Sequence, residues 1–136
     1  MNEGFQILKK GTGICLVATG YMTRVAMEVS AKLSSCGMDI GVADVFTLKN
    51  FNRRKLLLAL KNYRMLVTLE EGFIGNGGLD CLVSGLLSDM KSDIKMEKIG
   101  FKDGYVFENG GREYLHCLNK MDAGSVRIIV EKLWKQ

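Results

Sequence analysis

Apolar residues fall along the chain in short uncharged runs that alternate with longer stretches at helical spacing. Ile14 to Thr19 (ICLVAT) is such a run, closed by Gly20. From Thr23 to Cys36 the residues Val25, Val29 and Leu33 then share one face, with Met22 and Ala26 beside them. The pattern predicts strand, turn and helix, with Gly37 ending the helix because glycine takes positive φ without steric cost. Ile40 to Phe46 (IGVADVF) predicts a second strand, and Asn52 the cap of a helix through LLLALKN. Arg64 to Leu69 (RMLVTL) predicts a third strand. Leu79 to Asp89 follows as a helix with Leu82, Val83, Leu86 and Leu87 inward, then Lys95 to Ile99 as a fourth, shorter strand. A polar segment, GFKDGYVFENGG, precedes a final helix from Asp122 to Trp134, and Phe5 to Lys9 (FQILK) is placed as an edge strand at the front. Repeated β-α order predicts an open, mostly parallel sheet with helices on both faces.

A length of 136 residues with 47% hydrophobic content is enough for one sizeable core, so the expectation is a single domain over residues 1–136. Uncharged apolar runs such as Leu56 to Leu60 are far too short to cross a bilayer, and polar and acidic residues follow Met1 where a signal peptide would be basic and then apolar. The chain is therefore expected to be soluble and cytoplasmic. Cysteines at 15, 36, 81 and 117 are too widely spaced for a CxxC motif, and there is a single histidine to join them. They are expected to be reduced and mostly buried. The net charge of +4 is mild, but its distribution is uneven: between Val45 and Leu69 stand Lys49, Arg53, Arg54, Lys55, Lys61 and Arg64 and no acidic residue.

Candidate chemistry concentrates between Leu66 and Asp80, in LVTLEEGFIGNGGLD. In open parallel sheets ligands sit at the carboxyl ends of the strands, which is where Glu70, Glu71 and Gly72, Gly75, Gly77 and Gly78 are expected. Backbone N–H groups at the start of the following helix can hold an anion, yet two adjacent glutamates repel one. The spacing GxxGxGG is not GxGxxG and follows the third strand, whereas the first strand-to-helix turn offers only Gly20, so a dinucleotide fingerprint is absent. The structural expectation is that one carboxylate caps backbone donors in the glycine turn while the other meets a basic group across an interface. His116, in REYLHCL, lies on a short amphipathic helix without a recognisable nucleophile and is assigned to packing or a hydrogen bond. Lys102 and Asp103, in FKDGY, are assigned to a turn.

Three segments in order, GTGICLVATGYMTRVAMEVSAKLSSCGMDIGVADVFTLKNFN, LVTLEEGFIGNGGLD and ENGGREYLHCLNKMD, resemble the C-terminal domain of the transketolase family. That family includes transketolase, 1-deoxyxylulose-5-phosphate synthase and the beta subunits of 2-oxoacid dehydrogenases. The resemblance implies a three-layer α/β fold with a five-stranded, mostly parallel sheet, placed last in a thiamine diphosphate and magnesium enzyme that works as a homodimer or heterotetramer. It implies that the cofactor lies between two earlier domains, which supply an activating glutamate and a GDG motif with a downstream asparagine. Asp103-Gly104 follows Lys102 and is not a GDG. By resemblance no catalytic, cofactor or metal residue is assigned to this chain, and Glu70, Glu71, Gly72, Phe73, Gly75, Gly77 and Gly78 shape a loop that faces neighbouring domains. Asn50 and Asn52 stand where many members carry a proline and an aspartate before the second helix, and Arg53, Arg54 and Lys55 crowd its positive end. These cations are expected to meet carboxylates of a partner domain or subunit. The alternative is a free-standing module that binds a small anion or nucleotide near Gly20, Glu70, Gly75 and Gly77.

Overall fold

The computed structural model describes residues 3–47, 49, 51–75, 77–101 and 111–136. Strands β1 (Phe5–Lys9), β2 (Ile14–Ala18), β3 (Gly41–Val45), β4 (Met65–Phe73) and β5 (Lys95–Phe101) form one sheet in the order β1-β3-β2-β4-β5. β1 runs antiparallel to β3, whereas β3, β2, β4 and β5 are mutually parallel. Helices α1 (Met22–Ser35), α2 (Arg53–Leu60), α3 (Leu79–Asp89), α4 (Arg112–Leu118) and α5 (Ala123–Trp134) complete the chain. This is the three-layer, five-stranded, mostly parallel arrangement expected from the order of runs.

The central strand β2 is buried at every position because helices cover both faces of the sheet. With side chains alternating along each strand, Leu16, Val42, Val67 and Leu69 point to the layer containing Val25, Val29 and Leu33 of α1 and Val126 and Val130 of α5. Cys15, Val17, Ala43 and Leu66 point the other way, against Leu56 and Leu60 of α2 and Val83 and Leu86 of α3. The chain leaves β2 for β3 on one side and reaches β4 on the other, so the strand order reverses between β2 and β4. There the Thr19 N–H donates to the Leu69 carbonyl at 3.2 Å.

Several boundaries differ from expectation for identifiable reasons. β4 does not end at Leu69: it runs through Glu70, Glu71 and Gly72 to Phe73, with a register shift against β5 between Leu69 and Phe73. The LEEG segment is thus strand and the turn begins at Ile74. β5 likewise takes in Gly100 and Phe101, where a side chain on Gly100 would run into the Gly72 carbonyl of β4. α2 stops at Leu60, two residues short of Asn62, as the Tyr63 N–H turns back to the Leu60 carbonyl. Asn52 caps α2 through its side-chain oxygen, 3.0 Å from the Lys55 N–H, and Gly37 follows α1 at φ +83. The cysteines are not mostly buried: Cys36 and Cys117 are exposed and Cys81 is intermediate. Cys15 is buried, and desolvation pushes its thiol up to about 12. It therefore stays protonated and inert. Lys102 and Asp103 lie outside the described residues. Among the described residues no helix is long and apolar enough to cross a membrane.

Two stability outcomes follow from this packing. Leu16 is fully buried at the centre of the sheet, so Leu16→Ala is expected to lower unfolding free energy by about 3 kcal/mol in urea titration. Asp122 caps α5, accepting the Ser125 N–H at 3.1 Å. Burial raises its pKa, but hydrogen bonds from the Ser125 side chain and backbone outweigh that and hold the carboxyl below 3.8. A folded value below the unfolded one contributes stability above pH 3.8 that is lost as pH falls through the lower folded value. Asp122→Asn should therefore flatten the acid limb of stability against pH, measured from roughly pH 3 to 7, while costing only a few tenths of a kcal/mol at neutrality because asparagine also caps.

Candidate functional site at the strand ends

The two adjacent glutamates leave β4 in opposite directions because side chains alternate across a strand. Glu70 shares the face of Leu66 and Thr68, the face covered by α3, and is 5% exposed. Its carboxylate accepts the Leu79 N–H at 2.8 Å and the Asp80 N–H at 3.1 Å. These are the first two amides of α3, which have no acceptor within the helix. Glu70 therefore sits in the place where the turn-to-helix geometry would receive an external anion. Gly78 is required for that approach, since a Cβ there would overlap the Glu70 carboxylate. Gly75 and Gly77, both at φ +82, carry the chain around the turn in a conformation that other residues rarely adopt.

A second carboxylate, Asp80, is 1% exposed beside the first. It accepts the Gly75 and Cys81 N–H groups, each at 2.7 Å. Four backbone donors thus face two carboxylates of the chain itself. Burial raises the Glu70 pKa by more than the Leu79 and Asp80 amides lower it, and the Asp80 carboxylate adds to the rise. Burial also acts to raise Asp80, but there the Gly75 and Cys81 amides prevail and hold it low.

Glu71 shares the other face, that of Val67 and Leu69. Its Oε2 accepts from Arg112 Nε at 2.7 Å and lies 2.9 Å from His116 Nε2. Arg112 and His116 are one helical turn apart on α4, which places both on the side facing Glu71. The Arg112 guanidinium also stacks over the Tyr21 ring, 4.4 Å from its centroid. His116 is 3% exposed and packs against the Tyr21 and Phe101 rings, with centroids 5.4 and 6.2 Å away. The expectation of a capping carboxylate beside a paired one holds in part: the capping is by Glu70, but the basic partners of Glu71 come from α4 of the same chain and not from across an interface.

The sequence reading missed Asp80, Arg112 and Tyr21. An acid in the first turn of a predicted helix was a usable signal for Asp80, and the i, i+4 pair of Arg112 with His116 was one for α4. Nothing in the sequence marks Tyr21. Gly20, Gly72, Gly75, Gly77 and Gly78 gather at the strand ends as expected, while the Phe73 side chain lies outside the described residues. Arg53 and Arg54 stand elsewhere, at the start of α2. Arg53 Nη2 pairs with Asp89 at 3.0 Å, and Lys55 Nζ with Glu3 at 2.8 Å, both within the chain.

A cavity of about 240 Å³ beside the crevice is lined in part by Tyr21, Glu28, His116 and Asp122. Its two carboxylates are unfavourable to an anion. Nor do the strand-end residues fit thiamine diphosphate with magnesium. Glu70 is committed to α3 and Glu71 to α4, and no group of three His, Cys, Asp or Glu among the described residues is placed to hold a metal ion.

A parallel five-stranded sheet with a carboxylate closing its own strand-end helix places the chain among open α/β domains. The C-terminal domain family of transketolase matches residues 4–113, and the chain belongs to that family. It is 28% identical over 120 residues to one subunit of the apulose-4-phosphate transketolase of Actinobacillus succinogenes, covering 88% of this chain and 38% of the relative. It is 31% identical over 119 residues to a 1-deoxy-D-xylulose-5-phosphate synthase of Clostridium acetobutylicum, covering 87% of this chain and 19% of the relative. A solved structure described as split gene transketolase, inactive beta4 tetramer, matches with a TM-score of 0.85 at 29% identity, over 99% of this chain and 44% of that one. The chain spans 38% of the first of these curated relatives and 19% of the second.

The Glu70 geometry predicts a contrast between two variants. Glu70→Ala strands two buried N–H donors and is expected to cost about 2–4 kcal/mol in denaturant unfolding. Glu70→Gln keeps one acceptor oxygen but turns an NH2 donor towards the second N–H, so it strands one donor where alanine strands two and should cost less than the alanine variant, about 1–3 kcal/mol. Since the folded pKa of Glu70 lies above 4.5, its favourable contribution is complete below that pH and is lost as pH rises through the folded value. The glutamine variant should lack that loss.

Proposed function

We propose that this chain is a single, non-catalytic assembly domain of a thiamine diphosphate-dependent, transketolase-like enzyme. Transfer of a two-carbon ketol or acyl unit is assigned to domains that precede it or to a partner subunit, together with thiamine diphosphate and magnesium. The observation that carries this reading is the saturation of the strand ends: Glu70 and Asp80 fill the amides around the start of α3, and Glu71 is held by Arg112 and His116. A crevice filled by the chain's own side chains offers shape to a neighbour and little chemistry to a substrate.

In this reading the turn from Gly72 and Phe73 through Gly75, Gly77 and Gly78, with Glu70 holding it from below and Glu71 beside it, is the surface presented to neighbouring domains. The assembly is a homodimer or heterotetramer in the cytoplasm. Two comparisons support it. One relative is itself named as a single subunit of a transketolase. The structural neighbour is a split-gene enzyme whose beta4 tetramer is described as inactive, in keeping with a chain type that needs another polypeptide.

The test is calorimetry with thiamine diphosphate and magnesium, on the chain alone and then on the chain mixed with the thiamine-binding polypeptide of its own source. Heat of binding is expected only when that polypeptide is present, together with a complex in light scattering. Saturable binding to the chain alone would overturn the proposal.

A further inference from the structure

The first turn of α2 carries Arg53, Arg54 and Lys55 and no acidic residue, although the positive end of a helix favours acids. Asn52 answers one amide there but leaves the charge unopposed. Arg53 reaches across to Asp89 at the end of α3, and both side chains remain largely in solvent. Lys55 reaches Glu3. Among the described residues no carboxylate lies within ion-pair distance of Arg54.

Between α2 and α3 lies a cleft of about 480 Å³ lined by Arg53, Arg54, Leu86, Asp89 and Met90. Met90 is 53% exposed and gives the cleft an apolar wall beside a cationic rim, with Leu86 buried at its base. The charges on the rim leave one positive charge over, Arg54, added to the helix end itself. Such a lining fits an acidic group attached to an apolar one. It does not fit a bare phosphate, which gains nothing from Met90, nor a nucleic-acid strand, for which the rim offers no row of cations.

We propose that this cleft receives an acidic segment of the partner polypeptide, seating a carboxylate on Arg54 and an apolar side chain against Met90. The inference rests on the assembly reading above and gives it a docking point whose lining includes none of the described residues of the glycine turn. The Asp89 carboxylate competes with the incoming one for Arg53, so the cleft is tuned below its full affinity.

The probe is a blocked peptide of alternating leucine and glutamate, titrated into the ¹⁵N-labelled 136-residue chain. Its controls are the same peptide with lysine for glutamate and a short single-stranded oligonucleotide. Shifts are expected at the amides of Arg54, Leu86 and Met90, weakening with salt. Arg54→Glu should weaken binding by at least about tenfold, and Asp89→Asn should tighten it by about threefold, since it frees Arg53. Arg54 is exposed and a glutamate at that helix position favours folding, so loss of binding will not reflect loss of fold; circular dichroism verifies this. Absence of shifts at these amides, equal shifts with the lysine peptide, or tighter binding of the oligonucleotide would overturn the proposal. If the wild-type chain assembles with its thiamine-binding polypeptide and the Arg54→Glu chain assembles equally well, the cleft inference falls and the assembly reading stands. If the wild-type chain does not assemble, the assembly reading fails, and with it the partner named here.

Discussion

The strand-end architecture depends on one contact, the Glu70 carboxylate against the first two amides of α3. A helix that begins straight after a glycine turn has unpaired N–H groups and no side-chain cap of its own; Gly78 cannot supply one. Glu70 supplies it from the neighbouring strand. This ties the turn to the sheet, sets where α3 starts, and so fixes the face that α3 turns to Leu66 and Cys15. The contact also decides the chemistry of the crevice, because donors that have a buried internal acceptor are no longer free for a phosphate. Asp80 completes the arrangement by taking the Gly75 and Cys81 amides.

The alternation of β4 gives the adjacent Glu71 the opposite duty. It faces the layer of α1 and α5, where the covering helix α4 brings Arg112 and His116 to it, with Tyr21 stacked beneath the guanidinium. One strand thus fastens a helix on each side of the sheet by consecutive residues. Membership of the transketolase C-terminal domain family fits a unit whose polar strand ends are spent on its own architecture.

Much of this was legible in the sequence, and what was not has physical causes. The buried run ICLVA and the spacing of Val25, Val29 and Leu33 are unambiguous because packing on both sides of a sheet demands uninterrupted apolar strands and one-sided helices. β4 beyond Leu69 was not legible, since two glutamates and a glycine ordinarily end a strand and only the register with β5 carries it on to Phe73. The role of Glu70 was half visible as a cap. The in-chain partner of Glu71 was hidden because Arg112 lies 41 residues away in sequence, and no periodicity reports a contact at that separation. The in-chain pairing of Arg53 with Asp89 was hidden for the same reason, which is why a partner was expected for all of these cations, although among the described residues Arg53 and Lys55 are paired within the chain and Arg54 is not.

The central claim is that the chain's own carboxylates occupy the amides at the start of α3. Amide hydrogen exchange at Leu79 and Asp80, followed by NMR in the isolated chain with and without millimolar pyrophosphate, tests it most directly. Slow exchange at both amides, unchanged in rate and chemical shift by pyrophosphate, is the predicted result. Fast exchange without the anion, or saturable shifts at these two amides on adding it, would mean the seat is open to ligands and would contradict the account.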